Sequence, residues 1–180
     1  MDAATALRAL LAVLVILAGA WDLRVRRIPN WLTAPALLAG IAINGWQAGL
    51  GGLKSAALGL AAALGISLPF YALRGLGGGD VKLRAAVGAI VGPRDFLVIF
   101  VLDALLGGIA ALVVLLWKGR LRRSLGNVAH IVWSLARLRA PHTARAELDL
   151  ASEQAVALPR GAILAVAALL WLLQSRLAIR

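Results

Sequence analysis

Cysteine is absent from the 180 residues, and disulfide frameworks, thiolate metal sites and cysteine nucleophiles go with it. Charge is also scarce. Only 15% of residues are Asp, Glu, Lys or Arg, where a soluble globule carries about 25%. Histidine occurs twice, as His130 and His142, with no third ligand at a metal-site spacing, so no metal is expected. Neither Ser55 nor Ser67 has a histidine or lysine partner at a recognisable spacing, which leaves serine nucleophile chemistry without support. Acidic residues number eight against 19 basic ones. The resulting net charge of +11 points to nucleic acid only if it covers a folded soluble face. A content of 62% hydrophobic residues and a mean hydropathy of +0.89 argue against such a face and exclude disorder. The class is an all-α integral membrane protein, with no nucleic-acid partner, in which basic loops mark the inner side.

A bilayer span needs about 20 mostly apolar residues. Ala4–Trp21, Trp31–Gly49, Leu53–Leu73, Phe96–Trp117 and Gly161–Leu177 qualify. A shorter stretch, Val81–Val91, reaches only about 17 Å, with Lys82 and Arg84 in its first turn. If it crosses, six helices place both termini outside and 14 of the 19 basic residues inside. If it does not, the eight basic residues of 118–160 change sides and the division becomes 6 against 13. The six-helix arrangement obeys the positive-inside rule better, and long Lys82 and Arg84 stems reaching the interface would let the short helix cross. Trp21, Trp31 and Trp117 all fall at inner interfaces in this topology.

The first helix is expected to be retained. Asp2 and Arg8 precede its apolar run while Arg24, Arg26 and Arg27 follow it, the reverse of a signal peptide. The chain then reads as a single membrane-embedded domain over 1–180, with a basic cytoplasmic loop at 118–160. Within that loop Leu121, Leu125, Val128, Val132 and Leu135 recur at helical spacing among arginines. This predicts a basic amphipathic helix lying on anionic inner-leaflet lipid.

Carboxylates in or near a membrane are costly and need a reason. Asp22 stands in Trp21-Asp22-Leu23-Arg24-Val25-Arg26-Arg27-Ile28-Pro29-Asn30, Asp80 in Gly77-Gly78-Gly79-Asp80-Val81-Lys82-Leu83, and Asp103 between Leu102 and Ala104. Each has a plain reading. Asp22 could pair with Arg26, for about 0.3–0.5 kcal/mol. Asp80 could cap the following helix, and Asp103 could make an internal hydrogen bond. Against these stands the topology, which brings Asp22 and Asp80 to one membrane face beside irregular backbone. Two close carboxylates in a low dielectric share a proton, so one can accept a proton from water while the other donates to a carbonyl. Lys82 and Arg84 would offset part of the cost of charge at Asp80.

The two motifs together resemble the type IV prepilin peptidase family, and more closely its short form associated with tight-adherence (Flp) pili, the CpaA/TadV-like peptidases. The resemblance extends to six helices, the Gly92-Pro93 break, and Leu158-Pro159-Arg160-Gly161, where the family often has Pro-Tyr-Gly. It implies a GxGD-type aspartic endopeptidase that removes the basic leader of prepilins and pseudopilins at the cytoplasmic face of the bacterial inner membrane. Residue by residue, Asp22 and Asp80 correspond to the catalytic pair and Gly77 and Gly79 to the motif glycines. Lys82, Pro29 and Asn30 support the site on its substrate side. Lacking Cβ, the glycines can take φ > 0 and let a substrate strand approach closely. No cofactor is implied. Full-length members carry an N-terminal region with paired Cys-x-x-Cys motifs and methylate the product. A cysteine-free chain whose first helix begins at residue 4 predicts no N-methyltransferase activity. Asp103 matches no motif of the family.

A presenilin-like protease shares Gly-x-Gly-Asp, but its first aspartate follows a tyrosine, whereas Asp22 follows Trp21. The Asn-plus-Asp motifs of a lipoprotein signal peptidase are not found. The alternative of a different class is a transporter subunit or assembly scaffold with structural aspartates, in which Asp103 would matter at least as much as the other two.

Overall fold

A computed structural model of the chain describes residues 3–73, 75–117 and 159–177. These are helical, with no strand among them: α1 (Ala3–Val25), α2 (Asn30–Ala72), α3 (Gly78–Val91), α4 (Pro93–Trp117) and α5 (Arg160–Leu177). The expected amphipathic helix, both histidines and Arg74 lie outside the described residues.

Unbroken, the 43 residues of α2 would reach about 65 Å, twice the hydrocarbon thickness. They do not run straight. Ala48 and Gly49 leave helical geometry, and Gly49 takes φ 55°, which glycine adopts at little cost. The chain folds back there, so that a Cβ on Gly52 would overlap the Asn44 carbonyl. The two arms, 30–47 and 50–72, are the two apolar runs separated in the sequence. Gly92, at φ 81°, makes the corner into α4, whose first residue is Pro93.

α1, α2 and α4 are long and apolar enough to cross a membrane, and this is a membrane protein. Its surface agrees: Val13, Ile16, Leu38, Leu105 and Ile109 are all more than half exposed. α3 differs. Its 14 residues reach about 21 Å, yet nine of them are buried, because both arms of α2 wrap it. A helix surrounded by protein is relieved of matching the bilayer thickness.

That surrounding corrects one expectation. Lys82 is exposed, but Arg84 does not extend to an interface: it is buried and paired within the bundle. The small-residue spacing Gly88-Ala89-Ile90-Val91-Gly92 serves packing within the chain. Gly88 meets the backbone of Gly59, and Gly92 meets Ser55. Asn44 completes that end, donating to the carbonyls of Ala89 and Ile90, both at 3.1 Å.

Candidate active site

Asp22 lies on the buried stripe of α1, which runs through Leu11, Leu14, Val15, Ala18 and Gly19. Helix α1 continues to Val25, so Asp22 sits a turn before the helix ends and not at its last residue. Gly19 packs against Ala165 of α5, which brings the start of α5 over the Asp22 carboxylate. Its Oδ2 accepts from the Gly161 N–H at 2.8 Å and the Ala162 N–H at 3.4 Å. Asp22 therefore satisfies free donors at the positive end of a distant helix, the nearer donor lying 139 residues later in sequence. The pairing with Arg26 considered from sequence is not the arrangement found: Arg26 is exposed at φ 54° in the turn toward Pro29.

Asp80 stands in the first turn of α3. The cap of that helix is Gly77, in extended geometry, so Asp80 is not the capping residue. The turn from α1 supplies the link between the two motifs. Ile28 is buried between Gly79, where an added Cβ would lie 3.2 Å from it, and Gly161, where it would lie 3.0 Å away. The positive φ open to Gly77 and Gly79 is not used. Gly77 has φ −76° and Gly79 is helical. Their missing side chains matter by contact instead, since a Cβ on Gly77 would stand 3.3 Å from the Asp80 carboxylate and one on Gly79 would press on Ile28.

Asp22 and Asp80 are thus brought to one end of the bundle, linked through Ile28, which packs on Gly79 beside Asp80 and on Gly161, the donor to Asp22. Arg84 stands one turn further along α3, and Arg160 precedes the Gly161 N–H that holds Asp22, so both guanidinium groups belong to this end of the bundle. Lys82 and Asn30 also meet, the lysine Nζ donating to the Asn30 side-chain oxygen at 2.8 Å on the exposed side of the site. Pro29 accepts the Leu32 N–H at 3.2 Å and so starts α2.

Three features had no signal in the linear sequence. Arg84 donates to Asp103 at 2.6 Å, which gives Asp103 the internal bond expected for it. Arg160 donates to the Gly75 carbonyl and ties the start of α5 to the glycine loop. Together Arg84, Asp103 and Arg160 line a pocket of about 240 Å³ with Phe70, Leu76 and Phe100. Among the described residues no three His, Cys, Asp or Glu side chains converge as metal ligands would.

The sequence profile of the type IV leader peptidase family matches residues 9–112, which include Asp22, Asp80 and Asp103. The chain belongs to the type IV leader peptidase family. Relatives named prepilin leader peptidase/N-methyltransferase, from two strains of Burkholderia pseudomallei (1026b and K96243), are each 35% identical over 111 residues. Each match covers 58% of this chain and 35% of the relative. A Neisseria gonorrhoeae protein of the same name is 34% identical over 106 residues, covering 55% of this chain and 37% of its own. The chain spans little more than a third of the length of these curated relatives. No solved structure matches it significantly. Arg160 and Gly161 lie beyond the family match, so the partner of Asp22 comes from a part of the chain the match does not reach.

Proposed function

We propose that this protein is an aspartic endopeptidase that removes the leader of prepilins and pseudopilins, with Asp22 and Asp80 as the catalytic pair. The observation that carries the reading is that α1 and α3 bring Asp22 and Asp80 to one end of a family-matched bundle, on either side of Ile28. Water held between them loses a proton to the ionised carboxylate as its oxygen attacks the scissile carbonyl carbon. The protonated partner hydrogen-bonds the carbonyl oxygen and stabilises the charge that develops there. Collapse of the tetrahedral intermediate breaks the C–N bond, and a proton passes to the leaving amine. Gly77 and Gly79 keep the Asp80 turn narrow, while Lys82, Asn30 and Pro29 form the exposed rim on which the substrate lies. No cofactor enters this reaction.

The same reading takes the chain as one membrane domain, with six crossings made by α1, the two arms of α2, α3, α4 and α5, and both termini outside. The end with Asp22 and Asp80 then faces the cytoplasm at the bacterial inner membrane, which the 14 inner basic residues support. Those basic residues serve topology and anionic lipid, since a basic leader gains nothing from them. Flp-type prepilins are the favoured substrates. Methyl transfer, the second activity named in the relatives, finds no cysteine motif here, and we assign this chain the peptidase step alone. The transporter or scaffold alternative, in which Asp22, Asp80 and Asp103 are ion or packing sites, predicts instead that loss of the Asp103–Arg84 pair matters at least as much as loss of Asp22 or Asp80.

The deciding experiment incubates the native chain in liposomes with an Flp-type prepilin peptide and reads the products by mass spectrometry. Cleavage after the leader glycine is the expected result. An intact peptide, across several prepilin and pseudopilin leaders and pH values, overturns the reading.

A further inference from the structure

Among the described residues, Asp22, Arg84, Asp103 and Arg160 gather at the end of the bundle that carries Asp80. Arg84 lies one helical turn past it on α3 and is buried against Asp103 of α4, with its Nε atom unpartnered. Arg160, from the start of α5, lines the same pocket as Arg84 and Asp103 and donates to the Gly75 carbonyl in the loop that leads to Asp80. Asp22 arrives from α1. Tyr71 of α2 lies against Gly78, with its nearest ring carbon 3.5 Å from where a Cβ would stand. Lys82 is turned to the exposed side with Asn30, and Arg24, Arg26 and Arg27 are exposed.

The two arginines contribute two positive charges and Asp103 one negative charge. This described set is neutral when the Asp22–Asp80 pair holds a single proton. Two protons on the pair leave one uncompensated positive charge, and none leaves one negative charge. Net charge in a low-dielectric interior is costly. We infer that Asp103, Arg84 and Arg160 are positioning residues that hold the Asp22–Asp80 pair in its one-proton state. The Arg84–Asp103 pair is thereby more than a brace between α3 and α4. It halves the positive charge facing the carboxylates, which two free arginines would drive toward full ionisation. A fully ionised pair has no proton to give the scissile carbonyl.

This inference rests on the peptidase reading above, and the test separates the two. Cleavage by the native chain and variants in liposomes is followed across pH 4–10, with circular dichroism on each sample. Asp103→Asn removes one negative charge while the amide still accepts from Arg84. Both limbs of the pH–rate profile should then move to lower pH, by about one unit. Arg160→Gln removes a positive charge from a half-buried site and should move both limbs to higher pH by a similar amount. Arg160→Lys keeps the charge, and its profile should coincide with the native one even if its rate is lower. The neutral double change Arg84→Gln with Asp103→Asn should return the profile most of the way to the native position. A purely structural brace lowers the rate at every pH and displaces nothing.

Limbs that stay in place in Asp103→Asn and Arg160→Gln, or that move in the same direction in both, overturn the inference while native cleavage leaves the peptidase reading standing. If Asp103→Asn does not fold, the opposite displacements of Arg160→Gln and its lysine control decide alone. No cleavage by the native chain at any pH overturns both readings.

Discussion

The two ends of α3 are built on opposite principles. At its C-terminal end the helix is held by what is missing: Gly88 meets Gly59 backbone to backbone, Ile90 fills the space beside Gly40, and Asn44 meets the last carbonyls. At its N-terminal end the helix carries Asp80, Lys82 and Arg84, and the two cations meet partners from other helices, Asn30 and Asp103. One end fixes the position of the helix by contact and the other brings charge together. The first kind of packing tolerates no added volume. The second tolerates volume better than it tolerates a change of charge. If this division is right, substitutions at the two ends should separate stability from activity.

The largest effect is expected at the polar end. Asp22→Asn or Asp80→Asn should lower the cleavage rate by about a thousandfold or more, since each removes a group that must gain or lose a proton. The folded state should survive, because an amide oxygen can still accept from the Gly161 N–H. Parallel cleavage and thermal-unfolding measurements in one detergent check both halves. Equal losses of activity and stability would erase the distinction between the two ends.

The opposite signature belongs to Gly88→Leu. The backbone of Gly59 leaves no room for a Cβ there, so the arms of α2 must spread, at a cost of about 3 kcal/mol. Activity should fall only as the folded fraction falls, and the rate per folded molecule should hold. Gly161→Val tests the region where the two principles meet. Its Cβ would stand 3.1 Å from Asp22 and 3.0 Å from Ile28, so the start of α5 must withdraw from the carboxylate. A loss of about thirtyfold in rate with a smaller loss of stability is the expected outcome. The melting temperature and the single-turnover rate, measured together, decide it.

How far the sequence disclosed each end follows from the same contrast. Asp22 and Asp80 were legible because a carboxylate in an apolar run is conspicuous and each stands beside a proline or glycine break. The fold-back of α2 was legible because its sequence holds two apolar runs, Trp31–Gly49 and Leu53–Leu73, each long enough for one span. The Arg84–Asp103 pair was not. Both residues sit inside helices, 19 positions apart, and only the wrapping of α3 decides that Arg84 turns inward and not toward an interface. Nor was the partner of Asp22, because a backbone N–H carries no sequence signature. Gly77 and Gly79 do not take the positive φ that their lack of a side chain would allow. Their value lies in the space a Cβ would occupy next to Ile28 and Asp80, and that space is defined by residues from other helices.

Asn44 offers a finer probe of the contact end. Replacing it with alanine removes the donor to Ala89 and Ile90 while adding no volume. The expected cost is about 1–2 kcal/mol of stability with cleavage unchanged, read by urea or thermal unfolding. A drop in rate without a drop in stability would mean that the far end of α3 communicates with Asp80, contrary to the separation drawn here.

The smallest effect is expected where the polar end meets water. The Lys82–Asn30 bond is exposed, and exposed polar pairs contribute less than about 1 kcal/mol. Asn30→Ala should therefore leave the melting temperature almost unchanged. If the rim binds substrate, KM should rise about two- to threefold while kcat is kept, because the contact is made equally in the ground and transition states. Lys82→Ala should do the same, and the double substitution should cost little more than either alone, since each single change already breaks the one bond. Strictly additive effects would instead mean that the two side chains act on substrate separately, which would move the rim from a joined pair to two independent contacts.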